Sequence, residues 1–408
     1  MGGKRWIQAL CWLGLAGALM CWRPLAAGLP VGNEGLAAQA YEGWAGVIRV
    51  WVSPGWQPGY GSFVPWLNQR AARFEKKHPG VYVQVEPVSE GVLKSFDKVD
   101  LPPDAILFAP GMLDGGANLC ALDPCASLRP ELSQAGQWGE ELCALPVAMG
   151  GYAWAINRGI VAQVPLDWSG LAAPEPVKKQ ARYLMQAPAD EPYRCWSAAL
   201  SALCAPRRVT AQGQVAGELA QGINLGLPEE IAATPTPVPE TTLVSCALPA
   251  VLPDGFLTGD DFYSGFTKGL YGAIPVTQRE IRRLQVLSES GRAPDWAVEA
   301  GGAAFTDQLL MMAVPQTHRE DSAARQALAR ELLAYLLNED SQKALSSVRA
   351  LRVTQGEALY AGDAGMAELE KSTLGVLSTV TAFDTGFKAQ GQAQAQRLVR
   401  EAAGQIAE

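Results

Sequence analysis

Alternation of apolar and polar positions is the first legible feature of the chain. In GVIRVWV (46–52), Ile48, Val50 and Val52 alternate with Arg49 and Trp51, the period-two pattern of a half-buried strand. The loop SPGWQPGYG follows, and then SFVPWLNQRAARFEKK carries Phe63, Leu67, Ala71 and Phe74 at helical spacing. Pro65 is compatible with that helix because it falls in the first turn, where a missing N–H breaks no hydrogen bond. Pro79-Gly80 ends the helix, and VYVQVE at once resumes alternation, with Val81, Val83 and Val85 on one face. The whole stretch predicts a strand–helix–strand unit. A third strand, DAILFA (104–109), is apolar on both faces, as expected at the centre of a parallel sheet covered by helices on each side. Short connections and right-handed crossovers extend this into a doubly wound α/β lobe.

Farther on, CALPVAMGGYAWAINR (143–158) is apolar but for the pair Gly150-Gly151, which marks a bend or a close backbone approach and is a candidate hinge. Residues 160–265 are richer in proline, alanine and turn residues, and include the low-complexity piece PEEIAATPTPVPETT (228–242), read as an exposed loop. Periodicity returns in FYSGFTKGLYGAIPVTQREIRRLQVL and GGAAFTDQLLMMAVPQT, and SAARQALARELLAYLLNED is an amphipathic helix with Ala324, Leu328, Leu332 and Tyr335 on one face. Asp340-Ser341 are placed to cap another helix, SQKALSSV, and GQAQAQRLVREAAGQIAE predicts one more.

Composition narrows the class. A chain of 408 residues suits two lobes, and 48% hydrophobic with only 18% charged residues excludes a largely disordered one. The net charge of -8, without long runs of either sign, offers a polyanion no basic surface, so nucleic acid is not an expected partner. At the amino terminus, Lys4 and Arg5 precede the apolar stretch WIQALCWLGLAGALMCW, followed by Arg23, Pro24 and Ala26-Ala27-Gly28. Residues 1–28 therefore read as an export signal, cleaved near Ala27 as the first choice and kept as an anchor as the second. Lipidation at Cys21 is disfavoured by the bulk of Met20 just before it. The expected location is extracytoplasmic, secreted or held at the outer face of the cell membrane.

Outside the cell, Cys120, Cys125, Cys143, Cys195, Cys204 and Cys246 invite disulfides, the nearest in sequence being Cys120/Cys125 and Cys195/Cys204. The alternative is reduced cysteines packed as small apolar residues. There is no CxxC, and His78 and His318 stand apart, so no metal is implied. His78, just before Pro79, reads as a helix-end residue favoured by the helix dipole. Catalytic signatures are missing too: GYGSF and FYSGF do not fit the serine-nucleophile elbow, and no P-loop, HExxH or GxGxxG occurs. Asp260-Asp261 and Glu229-Glu230 lie in loop-like text and read as solvated turns. The expectation is a non-enzymatic protein without a cofactor.

In this order, IRVWV, LNQRAARFEKKHPGVYVQVE, PPDAILFAPG, ALPVAMGGYAWAINR, FTKGLYGAIPVTQ and ARELLAYLLNEDSQKAL resemble the extracellular solute-binding proteins of ABC importers, family 1, the maltose and carbohydrate type. The resemblance implies a type II periplasmic-binding-protein fold, two mostly parallel α/β lobes with the ligand in the cleft between them. It divides the chain into a first lobe at 46–149, a second at 150–273, a second crossing and the rest of the first lobe at 274–317, and the rest of the second at 318–408. The proline-laced 160–265 departs from the longer, aromatic-rich second lobe of the family.

Ligands of such folds bind at the carboxyl ends of parallel strands. The positions that map there are Pro54, Gly55, Trp56, Tyr60, Gly111, Met112, Tyr152, Trp154, Thr277 and Gln278, with Gly150 and Gly151 as the hinge. Trp56, Tyr60, Tyr152 and Trp154 offer rings for stacking on a sugar, or else simply pack at the lobe junction. Trp51 and Trp66 are expected in the core. The function implied is capture of a small solute, a sugar foremost, by lobe closure and delivery to an ABC permease by a monomer. The alternative is a membrane-tethered sensor or structural module of the same fold.

Overall fold

A computed structural model describes residues 43–160, 262–300, 306–373 and 381–383 with their side chains, and elsewhere the backbone of a few short strands. Residues 1–28, the loop 228–242, Asp260-Asp261, the carboxyl-terminal helix expected from 391, and Cys195, Cys204 and Cys246 lie outside the described residues.

Strand β1 (Gly46–Ser53), helix α1 (Phe63–Glu75) and strand β2 (Val81–Pro87) form the expected unit, with β1 and β2 parallel and Val50 opposite Val85. Helix α1 buries Phe63, Leu67, Ala71 and Phe74, the stripe that its spacing predicts, and beside it Trp66 and Arg70. Trp51 and Trp66 are both buried in the core, as expected. Strand β3 (Ala105–Phe108) is buried at all four positions. The apolar run at 143–158 is two strands, β4 (Leu145–Met149) and β5 (Ala153–Asn157), and Gly150-Gly151 carries the chain from one sheet to another.

The second sheet continues with β6 (Tyr183–Ala187), β7 (Phe256–Thr258), β8 (Tyr271–Val276) and β9 (Trp296–Ala300), in the order β7-β6-β8-β5-β9. A short strand β10 (Phe305–Thr306) then leads back to β11 (Leu309–Ala313), which inserts between β3 and β4 to give the first sheet the order β2-β1-β3-β11-β4. In each sheet the strand arriving from the other sheet is reversed: β5 is antiparallel to β8 and β9, and β11 to β3 and β4. The remaining pairs are parallel. A strand entering from the junction must run away from it, so the carboxyl ends of the other strands all converge there, where loops and ligands gather in open α/β sheets. Both sheets belong to one compact unit, Ala45–Glu408.

Helices complete the layers and revise two boundaries. Besides α2 (Phe262–Thr267), the second sheet carries α3 (Gln278–Glu289), so the chain does not change sheets at Thr277. The return crossing comes after β9, at β10 and Asp307-Gln308. Helix α4 (Ser322–Leu336) packs on α1 and β1, placing it in the first lobe rather than the second, because its face of Ala324, Leu328 and Leu332 is buried there. Tyr335, at the edge of that face, is half-buried with its ring 5.9 Å from Phe74. The following helix, α5 (Glu339–Lys343), is capped by Asn338, whose side chain accepts from Ser341 N at 2.8 Å, in place of the expected Asp340-Ser341 cap. Helix α6 (Ala364–Ser372) does lie on the second sheet: a β-carbon on Gly365 would sit 2.9 Å from Ile281 Cγ2 and 3.3 Å from Val298 Cγ2.

Cys120, Cys125 and Cys143 are free, so the Cys120/Cys125 bridge does not form. Buried Cys120 donates to Pro315 O at 3.7 Å, while Cys125 Sγ lies 3.1 Å from Ser127 Oγ. His78 closes α1 by packing on Phe74, ring centroids 4.2 Å apart, with Nε2 3.1 Å from Glu331 Oε1 of α4.

Candidate functional site

The junction between the sheets is built on two glutamines. Gly151 N–H donates to Gln278 Oε1 at 3.3 Å, and Gln278 Nε2 donates to Gln57 O at 3.0 Å and to Gln308 Oε1 at 2.9 Å. Gln278 is fully buried, and this network answers both ends of its amide, as a polar group away from water requires. Gly150 N–H donates to Gln308 O at 2.8 Å, and Thr306 Oγ1 donates to Gly150 O at 3.0 Å. The outgoing crossing, the return crossing and the start of α3 thus meet at one point. A β-carbon at position 150 would lie 2.1 Å from Gln308 Oε1 and 2.7 Å from Gln278 Nε2, so any larger residue would displace the two bonded amides. The expected close backbone approach is present.

Around this knot the expected residues divide into two groups. Trp56 is half-buried, held by an Nε1 donation to Leu309 O at 3.1 Å and by an edge-on contact with Phe63, centroids 4.8 Å apart. Tyr60 is 63% exposed and Pro54 is half-buried. Tyr152 is half-buried, and its hydroxyl donates to Asp307 Oδ1 at 2.5 Å. Gly55 shapes the loop: its φ of 67° suits glycine, and a β-carbon there would meet Ala109 Cβ and Met112 Cε at 2.7 Å. These residues present rings, a phenol and a carboxylate at the convergent strand ends.

The other group is structural in this conformation. Trp154 is 2% exposed and fills the second sheet, paired with Pro275 of β8 and Glu299 of β9, so it is a core residue and not a cleft ring. Met112 is buried beneath Gly55, and Gly111 ties the loop to the far segment by donating to Ala382 O at 2.8 Å. Thr277 is the N-cap of α3: its hydroxyl donates to Glu280 Oε2 at 2.6 Å and accepts from Arg279 N at 3.3 Å, while Thr277 N donates to Glu280 Oε2 at 3.1 Å. That capping box uses the polar atoms assigned to a ligand.

Gln57, Asp307 and Gln308 escaped the sequence reading. The polar triplet Thr306-Asp307-Gln308 standing directly before the unbroken apolar run LLMMAVP is the signal that marks a crossing there. Trp138 is a further exposed ring, at 42%. Gly115 and Gly116 pack against it, and Phe383 meets it edge-on at 5.8 Å. A half-buried phenol–carboxylate pair and the rings of the neighbouring loop suit a polar molecule with an apolar face.

No protein-family model matches the sequence, and no curated protein matches it. Among solved structures the chain is similar to the GacH receptor of Streptomyces glaucescens GLA.O, determined unliganded and in complex with acarbose and an acarbose homolog. The TM-score is 0.54 at 11% identity, with 88% of this chain and 94% of that one covered. The chain has the two-lobed α/β fold of such binding receptors.

Proposed function

We propose that this protein is an extracytoplasmic solute-binding protein that captures a small carbohydrate between its lobes by closure and hands it to an ABC importer. The observation that carries the reading is the meeting of Trp56, Tyr152 and Asp307, with Tyr60 exposed on the same loop as Trp56, where two reversed-strand sheets join through three hydrogen-bonded segments. The ring faces stack on the C–H faces of a sugar, and the carboxylate accepts from its hydroxyls. Contacts available only with the lobes together shift the population toward the closed form, which is the form a permease selects. The structural likeness to a receptor solved with acarbose supports a sugar over other solutes, and a binding role over catalysis.

Thermal-shift titration tests this with acarbose, maltose and maltotriose beside amino acids, peptides and polyamines. A specific ligand at a hundredfold excess over Kd stabilises the fold by roughly 2.7 kcal/mol. Stabilisation by a sugar alone supports the reading; response only to a non-sugar, or to nothing in the panel, overturns it.

A further inference from the structure

We propose that Arg349 is a positioning residue for the ligand loop, setting Gly59 and Tyr60 through its backbone and linking them to the second lobe through its ion pair with Asp363. The proposal rests on the reading of the inter-lobe cleft as a solute site and adds to it a physical link between loop and lobe.

Arg349 is the only non-glycine residue with positive φ among the described residues, at φ 55° and ψ 48°. The left-handed region is costly for a residue with a β-carbon and persists only where the surroundings over-determine it. Three contacts do so. First, the turn at Arg349 lets two successive carbonyls face the loop: Val348 O accepts from Tyr60 N at 3.0 Å and Arg349 O from Gly59 N at 3.3 Å. Second, the Arg349 β-carbon packs directly on Gly59, where an added β-carbon would come within 2.7 Å of it. Third, the guanidinium Nη2 bonds Asp363 Oδ2 in an ion pair.

Each partner is anchored to a different lobe. Arg349 belongs to a segment fixed on the first lobe, since Leu351 exchanges backbone hydrogen bonds with Met149 of β4. Asp363 is the N-cap of α6 on the second lobe, where Oδ1 accepts from Met366 N at 3.1 Å and from Gln285 Nε2 of α3 at 2.7 Å. Arg349 Nε is buried with no hydrogen-bond partner, so the ion pair holds the guanidinium by its Nη2 edge. The pair also lines a groove of about 1130 Å³ bounded by α3, β9 and α6. If the second lobe swings away, either the pair breaks or Arg349 follows it, and in both cases the carbonyls that hold Gly59 and Tyr60 are disturbed.

Hydrogen exchange on the ligand-free protein tests the link. Asp363→Asn keeps an oxygen for the cap and for Gln285 but removes the charge that Arg349 needs. The Gly59 and Tyr60 amides should exchange about tenfold faster while the Met366 amide is unchanged, a pattern that general destabilisation does not give. Unchanged exchange at Gly59 and Tyr60, or equal acceleration at all three amides, overturns the proposal. Should Asp363→Asn not fold, Arg349→Lys, which keeps a cation but lacks the Nη2 fork, is read in the same way. An acarbose titration of the unaltered chain fails separately: exchange coupling without any acarbose response supports the link and counts against the sugar.

Discussion

The Tyr152 hydroxyl donates to the Asp307 carboxylate at 2.5 Å, joining the segment that leaves the first sheet to the segment that returns to it. Both side chains are half-buried, at the rim of the junction. Asp307→Asn weakens the acceptor without changing its shape. Loss of a charged hydrogen-bond acceptor should lower sugar affinity at least about tenfold, since such bonds contribute about 1.5–3 kcal/mol. Isothermal titration of the variant with the sugar identified by thermal shift measures it; equal affinities would remove Asp307 from the site.

The two tryptophans offered as stacking rings, Trp56 and Trp154, should separate. Trp154→Ala empties a nearly sealed position in the second sheet and should cost about 3–5 kcal/mol of stability. Trp56 is half-buried, so Trp56→Ala should cost under about 2 kcal/mol while abolishing sugar-induced stabilisation. Urea denaturation with and without sugar gives both numbers. Retained binding in a folded Trp56→Ala protein would displace the cleft from this loop.

Gly150→Ala should damage the knot and spare the lobes. The added carbon meets the Gln308 and Gln278 amides, which are already committed to each other and to Gln57 O, so relief requires breaking a buried hydrogen bond. A loss of about 1–3 kcal/mol is expected. Small-angle scattering should also show an altered lobe arrangement, and a profile and melting curve identical to the unaltered chain would contradict the packing.

Cys143 gives the fold an alkaline limit. Burial, with smaller contributions from Glu141 and Cys120, pushes its thiol up to about 11 from 9.0. Because the folded value is raised, the stabilisation is complete below the unfolded pKa and is lost as pH rises from about 9 toward 11, in total up to about 3 kcal/mol. Cys143→Ala should flatten that part of the stability curve. At pH 8, iodoacetamide should label the half-exposed Cys125 well before buried Cys120 or Cys143. Prompt modification of Cys143 in the folded protein would refute its burial.

Local pattern announced β1, α1, β2 and β3 with boundaries close to those observed, because alternation and a helical stripe mark β1, β2 and α1, while the unbroken apolar run of β3 marks a strand covered on both faces. It also marked Gly150-Gly151, whose lack of side chains is visible in any arrangement. Trp56 stands in the proline- and glycine-rich loop SPGWQPGYG and Trp154 in the apolar run YAWAIN, but the glycine pair before Trp154 marks a bend without telling whether the ring next to it faces the junction or the interior of a sheet. Arg349 has no signal at all, since its left-handed backbone follows from Gly59 on one side and Asp363 on the other.

The sequence by itself determined the α/β class, the succession β1, α1, β2, β3 and the bend at Gly150-Gly151, for these depend on spacings within a few turns of chain. Only the tertiary structure decided that β11 inserts between β3 and β4, that the return lies at Asp307-Gln308 and not Thr277, and that α4 belongs to the first lobe. Those outcomes are set by which buried faces and amides find each other across the whole chain, and strand pairing at long range leaves no periodic trace in the strands that pair.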